Sequence, residues 1–193
     1  MLHTIPNALL QLIHWLILAL FTLALYALSY LPAAWHRDWY RHAFHAWCRQ
    51  FVRALGVRLR LYGHQTRAMP EHYLLIANPP SAFEDIGIPA LFEVNSLAKA
   101  EVRDWWFAGR ICAAAGTLFV KREDKTSRLL AVDAIAQDLA SGHNVALYPE
   151  GGVKGARVAP FRHGVFDISL RTGIPIVPEE VRGELADVDH LAR

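Results

Sequence analysis

Between Ala8 and Leu31 the chain reads ALLQLIHWLILALFTLALYALSYL, without one Lys, Arg, Asp or Glu. As a helix this stretch is roughly 36 Å long, against a hydrocarbon layer of about 30 Å, so it is long enough to span a bilayer. A cleaved signal peptide is the rival reading. No Lys or Arg precedes the run, however, its length exceeds a signal core, and only Ala33 and Ala34 hint at a cleavage site. A retained anchor is therefore expected. Residues 1–7 contain no Lys or Arg, whereas Arg37, Arg41, Arg49 and Arg53 follow the run closely, an asymmetry that puts the domain after it on the cytoplasmic side.

The next stretch, WHRDWYRHAFHAWCRQFVRAL, repeats Arg37, Arg41, His45, Arg49 and Arg53 at every fourth position, while Trp39, Ala43, Phe44, Trp47, Phe51 and Leu55 cover much of the remainder. A helix with that spacing is basic and aromatic on different faces. Lying at a membrane surface, it would sink its rings among lipid tails and leave its guanidinium groups on anionic headgroups. The alternative is a helix packed on the domain's own core with a solvated basic stripe. Residues 1–55 are thus expected to form a membrane anchor and an interfacial helix, a pair that can also lie in one leaflet without crossing.

Residues 56–193 read as one α/β domain. Short apolar or alternating runs, VRLRLYG, HYLLIAN, NSLAKAE, GTLFVKR, NVALYPEG and GIPIVP, suit strands. Between them, DKTSRLLAVDAIAQDLASG has cap candidates in Asp124 and Thr126, an apolar face of Leu129, Leu130, Val132, Ile135, Ala136 and Leu139, and a stop at Gly142. GVFDISLRTG is a second helix, ending at Gly173. The expected fold is a mixed, largely parallel sheet flanked by helices and preceded by a membrane-associated helix pair. A net charge of +2 is too mild to argue for nucleic acid. Cys48 and Cys112 lack metal-ligand spacing and read as reduced packing residues, so no metal is expected.

Ligands of such sheets sit where strand ends open into loops. That draws attention to three polar turns, Asn78 to Asp85, Lys121 to Asp124 and Pro149 to Lys154. In the first, two prolines stop the strand, Ser81 is a candidate helix cap, and Glu84 and Asp85 suit the positive end of a helix dipole.

The three turns, in this order, resemble the glycerolipid acyltransferase superfamily, typified by 1-acylglycerol-3-phosphate acyltransferase. NPPSAFE (Asn78 to Glu84) aligns with that family's Asn-His-x-Ser-x-x-Asp, and GTLFVKR (Gly116 to Arg122) matches Gly-x-x-Phe-x-x-Arg in full. YPEGGV from Tyr148 aligns with its aromatic-Pro-Glu-Gly-Thr-Arg, and IPIVP (Ile174 to Pro178), preceded by PFRHG, meets its fourth motif. The resemblance covers about residues 56–178. It implies transfer of an acyl chain from an acyl thioester, acyl-CoA or acyl carrier protein, to a lysophospholipid-like or glycerol-phosphate-type acceptor. No other cofactor is implied, and membrane lipid is the expected partner.

Such a transfer needs a base for the hydroxyl, donors for the developing oxyanion and cations for the acceptor's phosphate. Arg122 suits the phosphate because a guanidinium grips two oxygens, and Lys121 adds charge. Glu150 stands beside Gly151 and Gly152, whose backbone N–H groups can approach a ligand. Asn78 and Ser81 carry over with the first motif as substrate-binding positions. The family's catalytic histidine is here Pro79, and its aspartate is Glu84, with Asp85 one place later. The third motif's Thr and Arg are Gly152 and Val153, leaving Lys154 or Arg157 to supply that charge. Three readings follow from the missing histidine. Glu84 or Asp85 acts as base with its pKa raised by burial; an imidazole such as His163, His72 or His143 comes in; or the site binds lipid without reacting. After Pro178 the chain is polar, EEVRGELADVDHLAR, where the resembling family usually continues with more sheet and helix; either the domain is a C-terminally short variant or part of the fold is missing.

Overall fold

The computed structural model describes residues 4–61, 69–78, 83–151 and 160–179. Helices α1 (Thr4–Leu28) and α2 (Ala33–Ala54) come first, followed by β1 (Leu74–Ala77), α3 (Glu84–Leu91) and β2 (Asn95–Lys99). A 3-10 turn over Ala100–Asp104 leads into α4 (Trp106–Ala115), and β3 (Leu118–Val120), α5 (Lys125–Ala140), β4 (Val145–Leu147), α6 (Gly164–Thr172) and β5 (Ile176–Glu179) complete the order.

The five strands form one sheet in the order β3-β2-β4-β1-β5, with every described pairing parallel. Period-two alternation gives the sheet two buried faces. Leu74 and Ile76 of β1, with Val145 and Leu147 of β4, pack on Ile135 and Leu139 of α5 and Val165 and Ile168 of α6. Tyr73, Leu75 and Ala77, with Ala146, pack on Ile88 and Phe92 at α3 on the other face. The helices are closed as the sequence predicts: Asp124 accepts from the Thr126 and Ser127 amides, and Gly173 ends α6 in the left-handed region at φ 72°.

Helices α1 and α2 form an antiparallel hairpin. The Tyr40 hydroxyl donates to the Leu25 carbonyl (2.8 Å), Trp47 Nε1 to Thr22 Oγ1 (2.8 Å) and Gln50 Nε2 to the His14 carbonyl (2.9 Å). Gln11 Nε2 reaches the carbonyl of Ala54, so α2 runs back along most of α1. Among the described residues one helix segment is long and apolar enough to cross a membrane, Ala8–Leu28, with a mean hydropathy of 2.2 and most of its surface outside the protein core.

Four expectations change. The rings of α2 do not point to lipid as a set: Phe44 and Trp47 are buried with Leu18, Leu25, Ala90 and Ile111 in a core shared by α1, α3 and α4. His45, in the supposed polar stripe, is buried too, its Nδ1–H donating to the Pro89 carbonyl (2.9 Å), and burial lowers its pKa. Residues 57–61, expected as part of a strand, form none. Their alternation finds no ladder, and Leu59 packs against the helical core instead. On α5 the covered face is Ala131, Ile135 and Leu139, while Leu129 and Leu130 are exposed. Finally, α3 starts after Phe83 rather than directly after Ser81, with Glu84 and Asp85 in its first turn as expected.

Candidate active site

Because the strands are parallel, their C-terminal ends lie together, and the sheet order brings the exits of β1, β3 and β4 to one edge of the molecule. Arg122 leaves β3 two residues after its last strand position, and its Nη1 donates to the carbonyl oxygen of Gly151 (3.0 Å), just beyond β4. Arg128 Nη1 donates to the Arg122 carbonyl (2.7 Å), which ties that turn to α5. Gly151 has φ 74° and closes a turn through its N–H to the Tyr148 carbonyl (2.9 Å). An added Cβ there would sit 2.5 Å from Nε of Arg162, so a second guanidinium lies directly against this turn. The Arg162 N–H also donates to the Pro149 carbonyl (2.9 Å).

The carboxylates approach the same cluster from α3. Glu84 is buried, as is Glu150 on the β4 side. Asp85 keeps solvent contact, yet the surrounding protein raises its pKa, chiefly by desolvation. Arg122 pulls the Asp85 carboxyl back down and Glu84 pushes it up, while the solvent contact limits the size of the shift. The Tyr148 hydroxyl is buried, and desolvation first, then the Asp85 and Glu84 carboxylates, push its pKa well above the usual phenol value. It interacts with Asp85 without meeting full hydrogen-bond geometry to any described residue. Tyr148 is therefore a neutral phenol beside the Asp85 carboxylate and Arg122.

Of the residues singled out from the sequence, Glu84, Asp85, Arg122, Glu150 and Gly151 come together here. Asn78 directly follows β1 and lines a mainly apolar cavity of about 270 Å³ with Ile76, Pro149, Phe161 and Pro178. Lys121 is exposed, its backbone N–H bonded to Ser127 Oγ (3.0 Å). Pro79, Ser81, Gly152 and Lys154 lie outside the described residues. Two candidate histidines belong elsewhere. His72 precedes β1 and His143 precedes β4, so both sit at the N-terminal end of the sheet, and His143 Nδ1 is held by Asp138 Oδ1 (2.7 Å). Of the three imidazoles considered, His163 alone, next to Arg162 at the start of α6, stays on the site's side of the sheet. Arg162 and Tyr148 were visible in the motifs but not assigned a role from them; a glycine flanked by an aromatic-Pro-Glu turn was the available signal. Among the described residues no cluster of three or more His, Cys, Asp or Glu suits a metal ion.

The sequence that builds this site matches the acyltransferase family model over residues 58–181. The chain belongs to that family. It is 32% identical over 133 residues to the lyso-ornithine lipid O-acyltransferase of Pseudomonas aeruginosa, covering 68% of this chain and 50% of that one. It is 27% identical over 120 residues to the 1-acyl-sn-glycerol-3-phosphate acyltransferase of Neisseria meningitidis, covering 60% and 47%. The chain thus spans about half the length of the curated relatives it matches. Among solved structures, the 1-acyl-sn-glycerophosphate (LPA) acyltransferase PlsC of Thermotoga maritima shares the fold, with a TM-score of 0.66 at 18% identity over 91% of this chain and 73% of that one.

Proposed function

We propose that this acyltransferase-family chain moves an acyl group from a thioester, acyl-CoA or acyl carrier protein, to the hydroxyl of a lysolipid at the cytoplasmic face of a membrane. The observation that carries the reading is the contact of Arg122 with the Gly151 turn beside Asp85 and Glu84. In the proposed step the Asp85 carboxylate takes the hydroxyl proton as the acceptor oxygen attacks the thioester carbon. The C–S bond then breaks, and the proton passes to the departing thiolate. A carboxyl whose pKa is raised toward the working pH is a better base than an ordinary aspartate. Arg122 and Arg162 face the acceptor's anionic group, and Asn78, Lys121 and Glu150 follow β1, β3 and β4 on the same side of the sheet; the motif resemblance adds Ser81, Gly152 and Lys154 as acceptor-binding positions. The apolar cavity beside Asn78 suits part of the acyl chain.

The antiparallel hairpin supports anchoring without crossing. Since α2 runs back along α1, a transverse α1 would carry exposed Arg49 toward the hydrocarbon and Arg53 to the far interface, an arrangement that charged side chains oppose. Residues 1–55 are read as an anchor lying in the cytoplasmic leaflet and residues 56–193 as the acyltransferase-like domain.

The test is acyl transfer by the purified chain to a lyso-ornithine lipid and to 1-acylglycerol-3-phosphate, with each thioester donor, beside Asp85→Asn, Glu84→Gln and Pro79→His variants. Turnover that survives both carboxylate substitutions removes the carboxylate base. A second reading, a lipid-binding homologue that does not react, is favoured by Pro79 at the histidine position. It gains if the wild type is silent and Pro79→His is active.

A further inference from the structure

Helix α4 opens on an unusual surface. Trp105 is 62% exposed, Trp106 84% and Phe107 43%, three exposed aromatic residues in a row with most of both indoles uncovered. Tryptophan is on average a well-buried residue, and consecutive exposed aromatics form a contiguous apolar surface rather than the scattered exposure normal for soluble domains. The backbone holds them there. Gly109, one turn into α4, lies so close to the carbonyls of Val102 and Arg103 that no side chain fits, which locks the preceding 3-10 turn against the helix and fixes the direction in which the tryptophans leave it.

The position of this surface says what it meets. Arg110 Nε donates to Ser29 Oγ (3.1 Å), and its guanidinium lies 3.5 Å from the centre of the Tyr30 ring, at the C-terminal end of the apolar helix α1. Trp106 stands four residues before Arg110, on the same helix face and about 6 Å along its axis. On the membrane reading of α1, the polar break at Ser29 to Pro32 that ends its apolar run lies toward the headgroups. Tyr30, itself 59% exposed, therefore marks that level for α4 as well. Amphipathic indole rings prefer this depth, with the ring among the upper acyl carbons and the N–H in hydrated headgroups.

We propose that Trp105, Trp106 and Phe107 are a second membrane-docking element, seated in the headgroup region of the same bilayer that holds α1. It lies within the α/β domain, after β2, and is separate from both anchor helices. With α1 it gives the domain two fixed points on the bilayer, which sets its tilt and hence the height of the strand-end site above the lipid. This rests on the membrane reading of α1, and the experiment separates the two.

The full chain is reconstituted into vesicles of phosphatidylethanolamine and phosphatidylglycerol, with and without brominated phosphatidylcholine, and tryptophan emission is followed. Trp105→Phe/Trp106→Phe removes two of the six indoles and Trp15→Phe removes one that projects from α1. These aromatic replacements spare the buried Trp47, and circular dichroism checks the fold. The expected result is that bromine quenches wild type strongly and that each variant loses its own share of the quenchable emission. If Trp15 accounts for quenching but Trp105 and Trp106 do not, docking by α4 is overturned and the anchor stands. If neither does, the anchor reading fails and the inference with it. Quenching at Trp105 and Trp106 alone removes the anchor, and with it the two-point docking proposed here. Should the pair be unquenched and Trp106→Ser convert a dimer to a monomer, the surface is a self-interface and lipid docking is refuted.

Discussion

Replacing Arg122 with glutamine tests the site's electrostatics most directly. The guanidinium makes one charge-assisted bond, to the Gly151 carbonyl at 3.0 Å, and opposes the upward shift of the Asp85 pKa. A hydrogen bond to a charged group contributes about 1.5–3 kcal/mol, so loss of an equivalent bond to the acceptor lowers kcat/KM by about 10- to 150-fold. The pH profile carries the sharper expectation. A base must be deprotonated to act, so the acidic limb of kcat/KM follows the base's pKa. Arg122 depresses that pKa, its removal raises it, and the limb in Arg122→Gln moves to higher pH. Arg122→Lys keeps a charge without the planar fork, so the limb stays nearer its wild-type position while the rate still falls. The assay is initial-rate acyl transfer from a saturating thioester across a buffered pH series. An acidic limb that stays in place in Arg122→Gln, or moves to lower pH, refutes Asp85 as the base under Arg122.

Asp85 also gives a stability prediction with a definite sign. Its folded-state pKa lies above the ordinary value of 3.8, so its favourable contribution is complete below that value and is lost as pH rises through the folded pKa. Asp85→Asn therefore melts higher than wild type at neutral pH, with the difference vanishing in acid; a lower Tm at neutral pH contradicts the assignment. Asp124→Ala removes a cap that accepts at 3.2 and 2.9 Å and costs about 1 kcal/mol, read as a shift in urea midpoint at unchanged slope. Ile135→Ala leaves a hole between α5 and the sheet and costs about 2–5 kcal/mol in the same measurement. Gly109→Ala drives a methyl group into the Val102 and Arg103 carbonyls and costs at least about 1–3 kcal/mol in a thermal melt.

The local chemistry of this protein was legible before any coordinates. Whereas the alternation over 57–61 did not make a strand, the short apolar strands, the Asp124 cap, the Gly173 stop and the parallel-sheet architecture follow from apolar run length and backbone restrictions that act over a few residues. So did the three strand-end turns, because parallel strands must leave the sheet on the same edge. What covers each face was decided only by the tertiary structure. The spacing of α2 defines an aromatic face, but whether protein or lipid meets Phe44 and Trp47 depends on where α1, α3 and α4 come to rest. His45 sits in a basic repeat and is nonetheless buried, since Pro89 offers it a carbonyl across 44 residues of chain. The pairing of Arg122 and Arg162 with the Gly151 turn, and the sorting of His72 and His143 to the far end of the sheet, likewise come from long-range packing. Sequence fixes which side of an element is apolar, because that is a property of period; it does not fix the neighbour, because that is a property of distance between parts remote along the chain.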